Sequence, residues 1–188
     1  MKTLSRRTTG ASLAATAALF GGLMVSLLAP RPAQAQAIYE PEQPFSVKIG
    51  AYFPADGDAR QAGDDLQFMT EIQYRIESLS ETNSTTVLSA AYTQRKNFSM
   101  APLTIAQIFR NPNQKPGTGY YFGIGFGVYI TKLRLPDTSG DTKNLVGGYF
   151  LGGINLGRTA FAEAKYHLVN TYDRKQIDGL QLSAGYRF

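Results

Sequence analysis

Three glycines at every second position, Gly123, Gly125 and Gly127 in YYFGIGFGVYI (residues 120–130), raise the question of a phosphate cradle. A dinucleotide-binding turn spaces its glycines Gly-x-Gly-x-x-Gly and opens a helix whose N-terminus holds the pyrophosphate. Here the spacing is strictly two, the side-chain period of a β-strand, and no helical pattern follows before the next polar turn. Tyr120, Phe122, Ile124, Phe126, Val128 and Ile130 make one apolar face, and Tyr121, the glycines, Tyr129 and Thr131 make the other. The stretch is a strand, and a nucleotide cofactor is not expected.

Two other groups invite chemistry. The segment PADGDARQAGDD holds Asp56, Asp58, Asp64 and Asp65, carboxylates of the kind that bind calcium. An EF-hand needs a further ligand at position five, Gly at six and Glu at twelve, where this chain has Arg60, Gln61 and Gln67. The segment therefore reads as a solvated loop rather than a metal site. His167, the sole histidine, shares a face with Glu163 and Lys165. A hydrolase of the serine–histidine type needs a nucleophile beside the base, and no serine lies within two residues of it. No catalytic residue is assigned. Cysteine is absent, which excludes disulfides, thiolate metal sites and a cysteine-borne lipid anchor.

The remaining candidates are charges: Lys48, Glu71, Arg75, Glu77, Glu163, Lys165 and Arg187. Each falls on the polar face of an alternating segment, so they are expected to point together as a network of paired ions. Lys48, Glu77, Glu163 and Arg187, each near the same end of its segment, form the expected inner set.

Positioning them are eight period-two segments separated by Gly, Pro, Asn, Asp and Ser clusters: 45–54, 66–78, 86–95, 101–110, 120–135, 145–157, 160–172 and 179–188. None keeps a helical three-four spacing, so the chain is all-β and the segments pair as an eight-stranded antiparallel up-and-down barrel. In the last, Leu180, Leu182, Ala184, Tyr186 and Phe188 oppose Gln181, Ser183, Gly185 and Arg187. In the second, Leu66, Phe68, Ile72, Tyr74 and Ile76 oppose Gln67, Glu71, Gln73, Arg75 and Glu77. The third and fourth are least regular, because Ser89, Thr93 and Gln107 blur their faces and Pro102 cannot donate to a ladder.

The N-terminus has the three-part layout of a secretory signal: Lys2, Arg6 and Arg7, a long apolar run, then Ala33-Gln34-Ala35 and Ala35-Gln36-Ala37 as small-x-small cleavage sites. The expected organisation is a cleaved signal at 1–37, a short segment at 38–44 and a barrel domain at 45–188. Of 19 Lys and Arg, four precede the cleavage site while all 14 acidic residues follow it, so the mature domain carries 15 basic residues against 14, a net +1. That leaves no basic stripe for a nucleic-acid partner.

Alternating faces suit either a soluble barrel, apolar inside, or a membrane barrel, apolar outside. Three features favour the second. Strands of roughly ten residues at about 3.3 Å each, tilted by about 40°, match an apolar band of about 25 Å. The polar faces mix opposite charges with glycines that leave room for long side chains. Aromatics such as Phe45, Phe53, Phe68, Phe109, Tyr120, Tyr186 and Phe188 gather at segment ends, where an interfacial girdle sits.

The C-terminal GLQLSAGYRF, alternating and ending on an aromatic residue, resembles the closing strand of Gram-negative outer-membrane barrels. With the leader, eight segments and chain size, the sequence is similar to the small eight-stranded OmpA/OmpX-like family. That resemblance implies outer-membrane lipid and lipopolysaccharide as surroundings, the barrel-assembly machinery reading Tyr186 and Phe188 as an insertion signal, and a monomer. It implies both termini in the periplasm, with outward loops at 54–65, 96–100, 136–144 and 173–178 and periplasmic turns at 79–85, 111–119 and 158–159. The expected role is non-enzymatic: structural, surface-interaction or adhesion. The alternatives are a narrow channel, a lipid-A-modifying enzyme and a secreted soluble barrel with a ligand in its cavity.

Overall fold

The computed structural model describes residues 43–79, 84–111 and 118–188, with side chains at 77–79 excepted. The expected leader 1–37, residues 38–42 and most of the turns 79–85 and 111–119 lie outside the described residues. Eight strands follow in order: β1 (Phe45–Pro54), β2 (Gln67–Leu79), β3 (Ser84–Arg95), β4 (Phe98–Arg110), β5 (Tyr120–Leu133), β6 (Thr142–Asn155), β7 (Ala160–Val169) and β8 (Gly179–Arg187). Each pairs antiparallel with its neighbour in sequence, and β1 pairs with β8, so the sheet closes with no edge. Phe45 and Phe188 exchange backbone hydrogen bonds where β1 begins and β8 ends.

The barrel is inside out relative to a water-soluble one. Outward-facing Phe68 and Ile72 are 60% exposed and Leu182 is 44% exposed, while inward-facing Lys48 and Glu163 are 1% and 4% exposed. A belt of this size has no place on a water-soluble surface, where contiguous apolar patches seldom exceed a few hundred Å². The interior is layered. Tyr121, Tyr149, Leu151, Phe161, Val87, Ala106 and Ile108 pack toward the end where Phe45 and Phe188 meet, and Tyr52, Met69, Phe98, Met100, Tyr129, Leu133, Tyr172 and Ile177 pack toward the opposite end.

The glycine comb has its explanation here. Gly125 lies directly across from Tyr149, and Gly153 across from Tyr121. Each tyrosine ring leans over its partner glycine: a Cβ added at Gly125 would sit 2.4 Å from the Tyr149 ring, and one at Gly153 would sit 2.2 Å from that of Tyr121. Eight strands enclose little more than side-chain volume, so a bulky inward residue needs a neighbour with none.

Several strand limits differ from the sequence reading: β3 starts at Ser84 and not 86, β6 runs Thr142–Asn155 and not 145–157, and β7 ends at Val169 and not 172. β4 starts at Phe98 instead of 101, because Lys96 adopts φ 48° and closes a tight turn with Asn97. The β3–β4 ladder lapses between the pairs Ala90/Leu103 and Thr93/Met100, around Pro102, which has no N–H to offer.

The segment 54–65 is not the solvated loop that its aspartates suggest. Residues Gly57–Gly63 form a short helix, α1, whose Ala59 and Ala62 are buried in the apolar layer at the end opposite Phe45 and Phe188. The aspartates serve the fold: the Asp56 side chain caps α1 by accepting from the Asp58 N–H at 2.8 Å, and Asp64 accepts from Arg95 Nε at 2.7 Å and from Lys96. Only Asp65, 3.9 Å from Arg60 and largely exposed, behaves as a loop carboxylate.

Candidate functional site

Four charged side chains meet at mid-barrel. The β1–β2 register sets Lys48 opposite Glu71, and Glu163 and Lys165 stand two apart on β7, on the same inward face. Lys48 Nζ donates to Glu163 Oε1 at 2.6 Å and to Glu71 Oε1 at 3.1 Å. Lys165 Nζ donates to Glu71 Oε1 at 2.6 Å and lies 3.6 Å from Glu163 Oε1. Each lysine also sits over an aromatic face, Lys48 at 5.6 Å from the Phe161 centroid and Lys165 at 4.6 Å from that of Tyr149. Two cations and two anions thus balance within one buried cluster, the condition under which buried ions are tolerated.

A hydrogen-bond chain extends from Glu71. Gln181 Nε2 donates to Glu71 Oε2 at 2.9 Å, which turns the Gln181 carbonyl toward His167 Nε2 at 3.0 Å. A carbonyl only accepts, so Nε2 carries the imidazole proton and Nδ1 accepts from the Tyr129 hydroxyl at 2.9 Å. His167 is thereby held as a bridge among Tyr52, Tyr129 and Tyr149, whose ring centroids lie 5.5 to 6.0 Å from its own. Both ring nitrogens are engaged within this chain of bonds, and the residue is buried.

The other expected charges are elsewhere. Arg187 stacks on the Phe161 ring, 4.2 Å from its centroid, and lines a small chamber at the end where Phe45 and Phe188 meet, together with Arg75. The structure therefore joins Lys48 and Glu163 directly to each other but leaves Arg187 outside the ion cluster. Glu77 follows a register irregularity after Arg75, and its side chain lies outside the described residues. Tyr186 and Phe188 point outward with rings 6.3 Å apart. Sequence reasoning missed Gln181, Tyr129 and Arg110 as members of these clusters. Their alternation was readable: Arg110 shares inward parity with Thr104, Ala106 and Ile108.

At the opposite end the connections fold over the barrel. Ala55 N–H donates to Asp178 O, Asn97 N–H to Ala62 O and Arg134 N–H to Asn97 O, at 2.8 to 3.0 Å. The Tyr52 hydroxyl donates to Ile177 O at 2.7 Å. Lys175 bridges Asp58 at 3.1 Å and Asp137 at 2.8 Å, and Asp173 accepts from Lys143 and from Ser139. Hydrogen bonds from these partners hold the carboxyls of Asp64, Asp137 and Asp173 below the usual carboxylate range, and Asp137 and then Asp58 push the Lys175 ammonium up. Among the described residues no cluster of three or more His, Asp or Glu is arranged to hold a metal.

A closed eight-stranded antiparallel barrel has known counterparts. Neisserial surface protein A superposes with a TM-score of 0.54 at 13% identity, over 76% of this chain and 94% of that one. The fold is that of the small eight-stranded outer-membrane barrels. The Yersinia pestis outer-membrane protein Ail, solved in a phospholipid bilayer nanodisc, matches over 78% of this chain and all of its own, with 17% identity and a TM-score of 0.49. No family model and no curated protein sequence matches the chain.

Proposed function

We propose that this chain is a monomeric, non-enzymatic integral outer-membrane barrel that acts through the surface formed by its folded-over connections, in a surface-interaction or adhesion role. The observation that carries this reading is the inversion of the two faces: a continuous exposed belt from Ile49, Phe68 and Ile72 round to Ile124, Phe150 and Leu182, around a buried ion quartet. Only a hydrocarbon surround stabilises that arrangement, and a closed barrel leaves no unpaired backbone facing lipid. In this reading the termini lie in the periplasm, lipid and lipopolysaccharide surround the barrel, and the assembly machinery reads Tyr186 and Phe188.

The interior supports a surface role over a channel. The quartet side chains are at most 2% exposed, and α1 with Phe98, Met100, Leu133 and Ile177 fills the end above them. The first test is fractionation with heat-modifiable gel migration. A band in the outer membrane that shifts on boiling, and an epitope inserted at Gly140 that is detected on intact cells, are expected. Recovery in the soluble periplasm would overturn the reading. Reconstitution in planar bilayers is expected to give no stable conductance, and discrete single-channel steps would favour a channel instead.

A further inference from the structure

The chamber at the end of the barrel where Phe45 and Phe188 meet holds two buried hydrogen-bond donors without a partner. Ser46, Gln73, Arg75, Arg110, Tyr121 and Arg187 line it. Gln73 is 7% exposed, and its Nε2 is buried with no hydrogen-bond partner. The Nε of half-buried Arg110 is also buried and unpartnered. Two unmet groups on different strands, β2 and β4, facing one small space are both N–H donors. Buried donors are rarely left unmet, and donors of this kind are satisfied by an acceptor.

The local charge selects the sort of acceptor. Arg187, fixed flat against Phe161, lies within coulombic reach of both Arg110 and Arg75. Glu163, on the inner wall, is engaged by Lys48 at 2.6 Å and by the Tyr121 hydroxyl at 3.1 Å, and it belongs to a quartet already balanced in charge. Its charge is therefore shared first with Lys48 and Lys165, and only what remains of it reaches Arg187. Guanidinium groups form paired, charge-assisted hydrogen bonds to planar or tetrahedral oxyanions, and a half-buried site strengthens them relative to water.

We propose that this chamber binds a phosphate-type oxyanion, with Arg110, Arg187 and the Gln73 amide as donors. The enclosed space is about 20 Å³, room for a water or two. The ligand is thus one anionic head seated at the opening, with the rest of any larger molecule outside. The same chemistry is met by free phosphate or by the headgroup of an anionic phospholipid.

The test uses the folded barrel, nitrogen-15 labelled, in zwitterionic micelles without phosphate. Side-chain N–H signals of Arg110, Arg187 and Gln73 are followed while sodium phosphate is added, with sodium chloride at matched ionic strength as the reference. A parallel arm compares nanodiscs of phosphatidylglycerol with nanodiscs of phosphatidylcholine. Saturable, concerted shifts with phosphate identify a free-anion site. Shifts present only in phosphatidylglycerol discs identify a headgroup site. Arg110→Gln and Arg187→Gln are each expected to weaken the response at least tenfold while gel migration still reports a folded barrel. Should one of them fail to fold, the other variant and the unmodified protein decide. Equal response to chloride and phosphate, with no difference between the two lipids, would mean that the donors are met by water and would overturn the proposal.

Discussion

Replacing Glu71 with Gln tests the ion quartet most directly, since it removes one charge and little volume. Glu71 accepts from Lys48 at 3.1 Å, Lys165 at 2.6 Å and Gln181 at 2.9 Å. Without its charge two buried ammonium groups share Glu163 alone, at 2.6 Å and 3.6 Å, and one positive charge is left uncompensated. Removing one partner of a buried ionic cluster costs about 3–5 kcal/mol, a large part of a typical total stability of about 5–15 kcal/mol. In urea unfolding with a slope near 2 kcal/mol/M, that loss lowers the midpoint by about 1.5–2.5 M. Adding Lys165→Met to the same chain restores neutrality and keeps the Lys48–Glu163 bond at 2.6 Å. The double variant is therefore expected to be more stable than Glu71→Gln alone, which is the reverse of additive damage. The measurement is urea unfolding of the barrel in micelles, read by heat-modifiable migration and tyrosine fluorescence. A single variant within about 0.5 kcal/mol of the parent, or a double variant showing the sum of two losses, would refute the claim that charge balance holds the lumen together.

Three further outcomes follow from the same geometry. Gly125→Ala places a methyl 2.4 Å from the Tyr149 ring and is expected to cost about 1–3 kcal/mol, measured by the same unfolding midpoint; no loss would mean that the ring moves freely. His167→Leu strands the Gln181 carbonyl, at about 1–3 kcal/mol for a buried group left unmet, while the Tyr129 hydroxyl keeps the Gly148 carbonyl at 3.4 Å; nitrogen-15 shifts of the parent should report an Nε2–H ring. The folded-over connections are expected to loosen in acid. With the Asp137 and Asp173 carboxyls held below their ordinary 3.8, their contribution is complete above that value and disappears as pH falls through the lowered one. With the Lys175 ammonium held above 10.5, its contribution is complete below that value and disappears as pH rises through the raised one. Amide exchange at 134–141 and 170–178 checks this, and uniform protection from neutral pH down to pH 2 would count against it.

Strand number, strand direction and the choice of outward face were legible because a period of two needs only local reading. The exposed row Tyr120, Phe122, Ile124, Phe126, Val128 and Ile130 appears in the structure on the face that the alternation assigned to lipid. Height along the barrel is another matter. Parity states that Glu77 and Lys48 share a face, but β1 begins at Phe45 opposite Tyr74, so Glu77 lies beyond the start of its neighbour. Lys48 meets Glu71 instead. Arg187 pairs with Ser46, two positions below the level where Lys48 faces Gly185, and so falls in the chamber and not in the quartet.

What fixes those heights is the length of chain consumed between strands, and here the decisive segment disguised itself. α1 has seven residues, too few to display a helical period among four aspartates, so its buried Ala59 and Ala62 were hidden in what read as a polar loop. Their spacing of three, just after the capping Asp56, was the one available signal. Because α1 turns inward, the β1–β2 connection becomes a stopper instead of a flexible arm, joined by Asn97 and Asp178 to the other connections at that end. The buried charges beneath it are then screened from water at the loop end by apolar packing and across the wall by lipid. Ion pairs in such a setting act as a lock on register: sliding any one of β1, β2 or β7 by two residues keeps every face correct yet breaks two of the three pairs between strands, Lys48–Glu71, Lys48–Glu163 and Lys165–Glu71, so the quartet distinguishes registers that hydrophobic alternation alone leaves equivalent.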